Sequence, residues 1–168
     1  MSKRTLTITW DKPTDRFQTR HMSGLEFLQA LIAGKLPRSP MSQLMNYDLT
    51  EVSEGRVVVE CVPDDRYGNF IGIAHGGLAS TLLDSCMGAS IQSTVPAEFA
   101  ATTLELKINV VRPITPKVGK LVCEGKVIHP GRRIATAEGR IVDAAGKLYA
   151  HGTTTMMIFP LTQNDTGG

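Results

Sequence analysis

One long helical pattern, over residues 78–94, lies among runs of sequence that alternate like β-strands. At about 100° per residue, this helix has one apolar arc and an opposite arc of small polar residues. The apolar arc holds Leu78, Ala79, Leu82, Leu83, Cys86 and Ala89, and the opposite arc holds Ser80, Thr81, Asp84, Ser85, Gly88 and Gln92. A helix of this kind must bury its apolar arc, so the strands around it have to supply the second layer.

Six strand-like runs surround that helix and predict the fold class. Two of them, residues 49–52 and 56–62, flank Ser53-Glu54-Gly55, which is typical of a hairpin turn. Four more runs, 102–111, 120–128, 134–142 and 148–159, follow Pro96 and are separated by turn-forming segments. Successive hairpins predict an antiparallel sheet, and the long helix would cover its apolar face in an α+β fold.

The N-terminal quarter predicts one further helix. Residues 1–22 are polar and aperiodic, as in a poorly ordered arm. Ser23 and Glu26 have the spacing of a capping box before leucines at helical spacing, and Gly34 ends the pattern. Pro37 and Pro40 then indicate a short linker. We therefore divide the chain into an N-terminal arm and helix (1–43), one main domain (44–160) and a flexible tail (161–168).

Composition excludes several classes of function. The 168 residues are 42% hydrophobic and 20% charged, which is typical of a single globular domain. A net charge of +2 with interspersed signs, and few aromatic residues, argue against a nucleic-acid partner. Three widely spaced cysteines predict reduced core thiols and a cytoplasmic location. No run approaches the ~20 apolar residues of a membrane span, and no signal peptide pattern opens the chain.

A polar motif leads into the long helix and continues within it. It consists of Asn69, Gly72, His75, Gly76, Gly77 and Asp84. Two glycines leave the first helical amides unshielded, and the helix dipole adds roughly +0.5 charge there. Such an end suits an oxygen that becomes negative during acyl transfer. Taken singly, each residue also fits a structural role: a turn Asn, a loop His, a tight Gly junction or a solvated Asp84. The set together favours a site.

The sequence resembles the hotdog-fold acyl-CoA thioesterases, in particular the phenylacetate-degradation type. The resemblance covers residues 44–159, and one departure is Phe70, where many members have Pro. It rests on the spacing of the motif above and on Val111-Arg112-Pro113, Gly119, His129-Pro130-Gly131-Arg132, Glu138 and 143–148. It implies a six-stranded antiparallel sheet wrapped around one central helix, with an added N-terminal helix. It also implies homodimers with sites at the interface, which often pair into tetramers.

The resemblance further implies a role for each candidate residue. Asp84 would be the base or nucleophile, and the Gly76 amide the oxyanion donor, with Gly77 beside the substrate. Asn69 would position the water or thioester, and His75 the loop or the leaving sulfur. A Thr from the partner would hold the water. Thr103 is the expected match and Thr102 the alternative, because on the alternating strand Thr102 shares the apolar face of Leu104, Leu106, Ile108 and Val110. Apart from the resemblance, Arg132 and Arg133 in the Gly131 turn could meet the coenzyme A phosphates, because arginine pairs well with phosphate oxygens, or they could only solubilise the turn.

Two other functions remain open from the sequence. A hotdog dehydratase or hydratase would use His75 as the base for proton abstraction, and an acyl-CoA sensor would bind without turnover. The resemblance implies no cofactor and no metal, since coenzyme A is part of the substrate. The acyl group cannot be read from composition, although Leu25, Leu28 and Leu31 of the N-terminal helix could contribute to its pocket.

Overall fold

A six-stranded antiparallel sheet curls around one long helix in the computed structural model, which describes residues 3–14 and 16–162. The elements are α1 Gly24–Ile32, α2 Pro40–Met45, β1 Tyr47–Ser53, β2 Arg56–Cys61, α3 Gly76–Gln92, β3 Phe99–Val110, β4 Leu121–His129, β5 Ile134–Asp143 and β6 Leu148–Pro160. The strand order is β1-β2-β4-β5-β6-β3, so β3 lies at one edge. The α+β hotdog architecture predicted from the sequence is confirmed.

The core forms where α3 packs into the concave face of the sheet. Leu82, Leu83 and Cys86 of α3 are fully buried, as the apolar arc predicts. Two strand glycines allow the helix to approach this closely. A Cβ atom at Gly125 would lie 2.4 Å from the Cys86 carbonyl oxygen, and one at Gly139 would lie 2.8 Å from a methionine side chain of α3. A side chain at either position would push α3 out of the sheet.

The capping box at the start of α1 is confirmed. The Ser23 hydroxyl accepts from the Glu26 amide at 3.2 Å, and the Glu26 carboxylate accepts from the Ser23 amide at 2.8 Å. These bonds lower the pKa of Glu26. The Gly24 amide then donates to the Val95 carbonyl at 2.9 Å, just past the end of α3. This bond joins α1 to the C-terminal end of the central helix.

Two predictions for the N-terminal region are wrong in part. Residues 16–22 are ordered in turns because Arg16 lies over the Phe27 ring and donates to the Met22 carbonyl, and Thr19 is buried. The expected linker also contains the six-residue helix α2. Pro40 occupies its first position, where a proline is well tolerated, and Ser39 caps it.

A β-bulge in β3 changes the predicted faces of this strand. The register shifts after Thr103, so Leu104 is an extra residue, and it is 56% exposed. Thr103 pairs with the buried Met156, and Leu106 packs against the core. The prediction that Thr102 shares the inner face with Leu104 and Leu106 is therefore wrong, because one added residue reverses the alternation. Thr103 lies on the side of α3 instead.

The described residues continue past the end of β6 to residue 162. Leu161 is buried, and its amide donates to the Glu98 carbonyl at 2.7 Å. Residues 163–168 of the predicted flexible tail (161–168) lie outside the described residues, and the burial of Leu161 does not fit a tail that starts at 161. Within 3–14 and 16–162, no helix has the length and apolar character required to cross a bilayer.

Candidate active site

At the N-terminus of α3, one amide has no partner among the residues that the structure describes. His75 is the N-cap, and its Nδ1 accepts from the Gly77 amide at 2.9 Å. The Leu78 amide donates to the His75 carbonyl at 3.0 Å. Across the described part of the chain, the Gly76 amide has no acceptor, and a Cβ atom at Gly76 would meet nothing within 4 Å. This donor is open to a group from outside the chain, at the positive end of the helix dipole.

The same cap determines what His75 and Gly77 can do. Since Nδ1 accepts from an amide, the neutral imidazole carries its proton on Nε2, and the exposed ring edge is a donor. The Gly77 amide is bonded to His75 and is not a free donor, so the placement of Gly77 beside the substrate stays a prediction. Gly77 instead makes room for the ring: a Cβ atom there would lie 3.0 Å from Nδ1.

Asn69 organises the loop before α3. Its Oδ1 accepts from the Ile71 amide at 3.0 Å and from the Ile73 amide at 3.3 Å, and Gly72 adopts a φ of 81°. These bonds use only Oδ1, and the Nδ2 donors have no acceptor within the residues described. Phe70, the departure from the family pattern, is fully exposed at the loop tip. The loop is therefore held by the Asn69 side chain, and a proline at position 70 is not needed.

Tyr67 holds this loop in place through two hydrogen bonds. Its carbonyl accepts from the His75 amide at 2.7 Å, and its hydroxyl donates to the Met45 carbonyl at 2.5 Å. Burial raises the pKa of Tyr67 to about 12, so the phenol stays protonated as a donor. The contact fixes the position of His75, and with it the cap of α3.

Asp84 and Thr103 meet on the open side of α3. The Thr103 hydroxyl donates to Asp84 Oδ1 at 2.9 Å. Asp84 is half-buried, two turns into the helix, and the bulge in β3 turns Thr103 toward it. The structure therefore brings together the predicted carboxylate and the predicted hydroxyl within one chain, whereas the resemblance implied a Thr from the partner. Such a hydroxyl can also orient a water molecule against the carboxylate.

The free amide and the carboxylate lie far apart in a single chain. Gly76 and Asp84 are eight residues apart in α3, which corresponds to ~12 Å along a helix that rises 1.5 Å per residue. One carbonyl group cannot accept from the Gly76 amide and be attacked beside Asp84 of the same helix. A site that uses both groups needs the Gly76 amide of a second copy.

Comparisons with known proteins identify the family. The family model of the thioesterase superfamily matches residues 71–150, from the loop before α3 into β6. The protein SSO2140 of Saccharolobus solfataricus, whose name assigns it provisionally to the esterases, is 31% identical over 108 residues, covering 64% of this chain and 75% of that protein. The chain belongs to the thioesterase superfamily. This membership makes it a thioester hydrolase.

Three further proteins are similar to this chain. Human acyl-coenzyme A thioesterase 13 is 28% identical over 109 residues, covering 64% of this chain and 76% of that protein. The structure of smu.793 from Streptococcus mutans bound to acetyl CoA is 29% identical in sequence with a TM-score of 0.62, and the match covers 68% of this chain and 90% of that chain. E. coli PaaI, from the phenylacetic acid degradation operon, shares the fold at 20% identity with a TM-score of 0.70, and the match covers 82% of this chain and 95% of that chain.

The turn between β4 and β5 carries the three remaining predicted residues of this thioesterase. Gly131 is required there, because a Cβ atom would lie 1.9 Å from the Ile134 carbonyl oxygen. Arg132 and Arg133 are exposed, and the turn borders Thr94, beyond the C-terminus of α3. Position 94 is ten residues from Asp84, or ~15 Å along the helix direction. The structure does not bring these residues to the carboxylate of the same chain.

Ser85 and Tyr47 form a polar pair that sequence reasoning missed. The Ser85 hydroxyl donates to Tyr47 Oη at 2.9 Å, and Tyr47 is 7% exposed. Ser85 lay on the polar arc of the predicted helix, next to Asp84, and this position was the available signal. No pattern in the sequence pointed to Tyr47, because its contact depends on how β1 packs against α3.

Proposed function

We propose that this thioesterase hydrolyses acyl-CoA thioesters to a free acid and coenzyme A. The observation that carries the proposal is the Gly76 amide at the N-terminus of a buried helix, a donor that has no partner among residues 3–14 and 16–162. An oxyanion that forms on a thioester carbonyl needs such a preorganised donor. The names of human acyl-coenzyme A thioesterase 13 and of the acetyl-CoA complex from Streptococcus mutans support coenzyme A as the leaving group.

The proposed site is built from two copies of the chain. The outer edge of β3 has no strand partner among the described residues, and Leu104 and Val110 on this strand are 56% and 48% exposed. A two-fold axis perpendicular to the sheet, placed at this edge, would pair β3 with its copy in antiparallel fashion and set the two α3 helices antiparallel. Asp84 of one subunit would then approach Gly76 of the other. Further pairing of such dimers stays a prediction.

In the proposed reaction, the thioester oxygen accepts from the Gly76 amide of one subunit. Asp84 of the other subunit takes a proton from a water molecule that attacks the carbonyl carbon, or attacks this carbon itself to form an anhydride that water then opens. The carbon–sulfur bond breaks, and coenzyme A leaves as a thiolate that takes up a proton. Thr103 orients the Asp84 carboxylate, and the Nδ2 group of Asn69 can donate to the water or the thioester.

The proposal places the coenzyme A phosphates at the β4–β5 turn. With antiparallel helices, Arg132 and Arg133 of one subunit would lie toward the α3 N-terminus of its partner. Arginine binds phosphate oxygens through paired donors, and both side chains are exposed. The length of the pantetheine arm would separate this turn from the thioester. The two arginines would then serve binding rather than catalysis.

Hydrolysis fits this geometry better than dehydration. A dehydratase would need His75 as a base with a free lone pair, but Nδ1 already accepts from the Gly77 amide and Nε2 carries the proton. The His75 ring can therefore donate to the thioester or to the leaving sulfur. It has no free lone pair with which to remove a proton from the substrate.

The test is release of free thiol from a panel of acyl-CoAs by the wild-type protein and by Asp84→Asn. Loss of a general base or nucleophile lowers turnover by ~10²–10⁴. The variant should fold normally, because Asn keeps an acceptor for the Thr103 hydroxyl. Undiminished turnover of every acyl-CoA by a folded Asp84→Asn protein would refute the role of this carboxylate.

A further inference from the structure

A cleft of about 450 Å³ lies between α1, β1 and the flank of α3. Most of its wall is apolar, and α1 closes one side through Leu28 and Leu31, while Leu25 takes no part. A concave, mainly apolar site of several hundred Å³ is the usual form of a small-molecule pocket, and this one also has Arg38, Ser39, Ser42 and Asp48 in its wall. The other apolar residues that line it include Ile32, Leu49, Val59 and Ala89.

The polar pair of Tyr47 and Ser85 also lines this cleft. Two hydroxyl groups carry two protons, and the hydrogen bond from Ser85 to Tyr47 uses one of them. The proton of the Tyr47 hydroxyl has no acceptor in the described portion of the chain, although Tyr47 is 7% exposed. Because Tyr47 lines the cleft, an acceptor oxygen on a bound ligand is within reach of this hydroxyl.

The cleft includes Ser85, the residue that follows the proposed catalytic carboxylate. Ser85 follows Asp84 in α3, and the two side chains leave the helix about 100° apart. Thr81 and Gly88 lie between them on the helix; both are small and half-buried, and a Cβ atom at Gly88 would lie 3.5 Å from the Met156 side chain. An acyl chain attached to a carbonyl at Asp84 can therefore pass over Thr81 and Gly88 and enter the cleft under α1.

We propose that the cleft binds the acyl chain of the thioester and selects a chain that carries an oxygen acceptor. The inference rests on the proposed hydrolysis and adds the substrate class: an aliphatic acyl group with a hydroxyl, keto or ether oxygen at the level of Tyr47. The apolar walls hold the methylene groups, and the Tyr47 hydroxyl donates to the oxygen. The N-terminal helix α1 is therefore part of the specificity pocket.

The first test measures where the chain binds. The probes are non-hydrolysable S-butyl, S-hexyl and S-octyl thioethers of coenzyme A, titrated by calorimetry. Each buried methylene should raise the affinity of the wild-type protein about threefold to fourfold. Leu31→Trp fills the cleft and should flatten this dependence, whereas Leu44→Trp adds the same bulk on exposed α2 and should keep it.

Equal dependence on chain length in the wild-type protein and Leu31→Trp would overturn the inference. If Leu31→Trp does not fold, Ala89→Leu fills the same cleft from the α3 side and replaces it. The thioethers need no hydrolysis, so this result is independent of catalysis. Flattening by Leu31→Trp together with full turnover by Asp84→Asn would contradict the catalytic role of Asp84 and leave the cleft assignment intact.

The second test concerns the oxygen. The kcat/KM for octanoyl-CoA is compared with that for hydroxyoctanoyl-CoAs whose hydroxyl lies at successive carbons. At least one isomer should be preferred by about fivefold, the scale of one neutral hydrogen bond. The double variant Tyr47→Phe/Ser85→Ala should abolish this preference, and Tyr149→Phe, whose hydroxyl bonds Asp143 elsewhere, should keep it. A preference that survives the double variant, or none in the wild-type protein, would contradict oxygen selection.

Discussion

A proline at position 76 would isolate the contribution of one amide hydrogen. Gly76 is the first residue of α3, the position at which proline is best tolerated in a helix. His75 before it has φ −59° and ψ 143°, the extended conformation that a following proline requires. A Cβ atom at position 76 would meet nothing within 4 Å. Gly76→Pro therefore removes the donor and fits the existing backbone.

The expected magnitudes differ sharply for activity and stability. Loss of one oxyanion donor costs about 2.7–4 kcal/mol, or ~10²–10³ in kcat. The free energy of unfolding should stay equal or rise by about 0.4–1 kcal/mol, because proline restricts the unfolded chain. Gly76→Ala is the matched control, since it adds the Cβ atom but keeps the amide hydrogen.

The assay is steady-state release of thiol from an acyl-CoA, with thermal unfolding of each variant measured beside it. We expect Gly76→Pro to melt no lower than the wild-type protein and to turn over at least tenfold more slowly than Gly76→Ala. A folded Gly76→Pro protein with the kcat of Gly76→Ala would refute the oxyanion role of this amide.

Two further predictions concern Thr103 and the cysteines. Thr103→Val removes a hydrogen bond to the Asp84 carboxylate that is worth about 1.5–3 kcal/mol, so kcat should fall roughly tenfold to a hundredfold. Thr103→Ser keeps a hydroxyl and should keep most of the wild-type kcat. Equal kcat values for the Val and Ser variants would contradict the orienting role. Burial raises the pKa of Cys61 to about 11 and also raises the pKa of Cys123, so the native thiols should not react with a disulfide reagent at pH 8. The urea-unfolded protein should show three reactive thiols. Rapid reaction of the native protein would contradict this burial.

Local signals predicted the parts of the fold that depend on neighbouring residues. The hairpin at Glu54-Gly55 and the capping box of Ser23 with Glu26 are set by short-range geometry, and both are confirmed. The apolar arc of α3 also lies in the core as its spacing predicts. The close contact at Gly125 was not predicted, because a strand glycine does not reveal which helix approaches it.

The sequence predicted which residues form the site, but not how they are arranged. The motif identified Gly76 and Asp84, but the hydrogen bonds of His75 decide which amide stays free, and these depend on the loop conformation. The face of Thr103 was predicted wrongly, because strict alternation cannot register a bulge. The cleft beside Ser85 depends on where α1 packs, and helix propensity does not report this.

The central claim is that one active site takes Asp84 from one subunit and the Gly76 amide from the other. Asp84→Asn and Gly76→Pro chains, co-expressed with two different tags and purified as the heterodimer, test it directly. In a shared site, one of the two sites of the heterodimer contains neither substitution, so the heterodimer should regain about half of the wild-type thiol release. If each site were formed by a single chain, both would be defective, and a heterodimer no more active than the two variant homodimers would contradict the account.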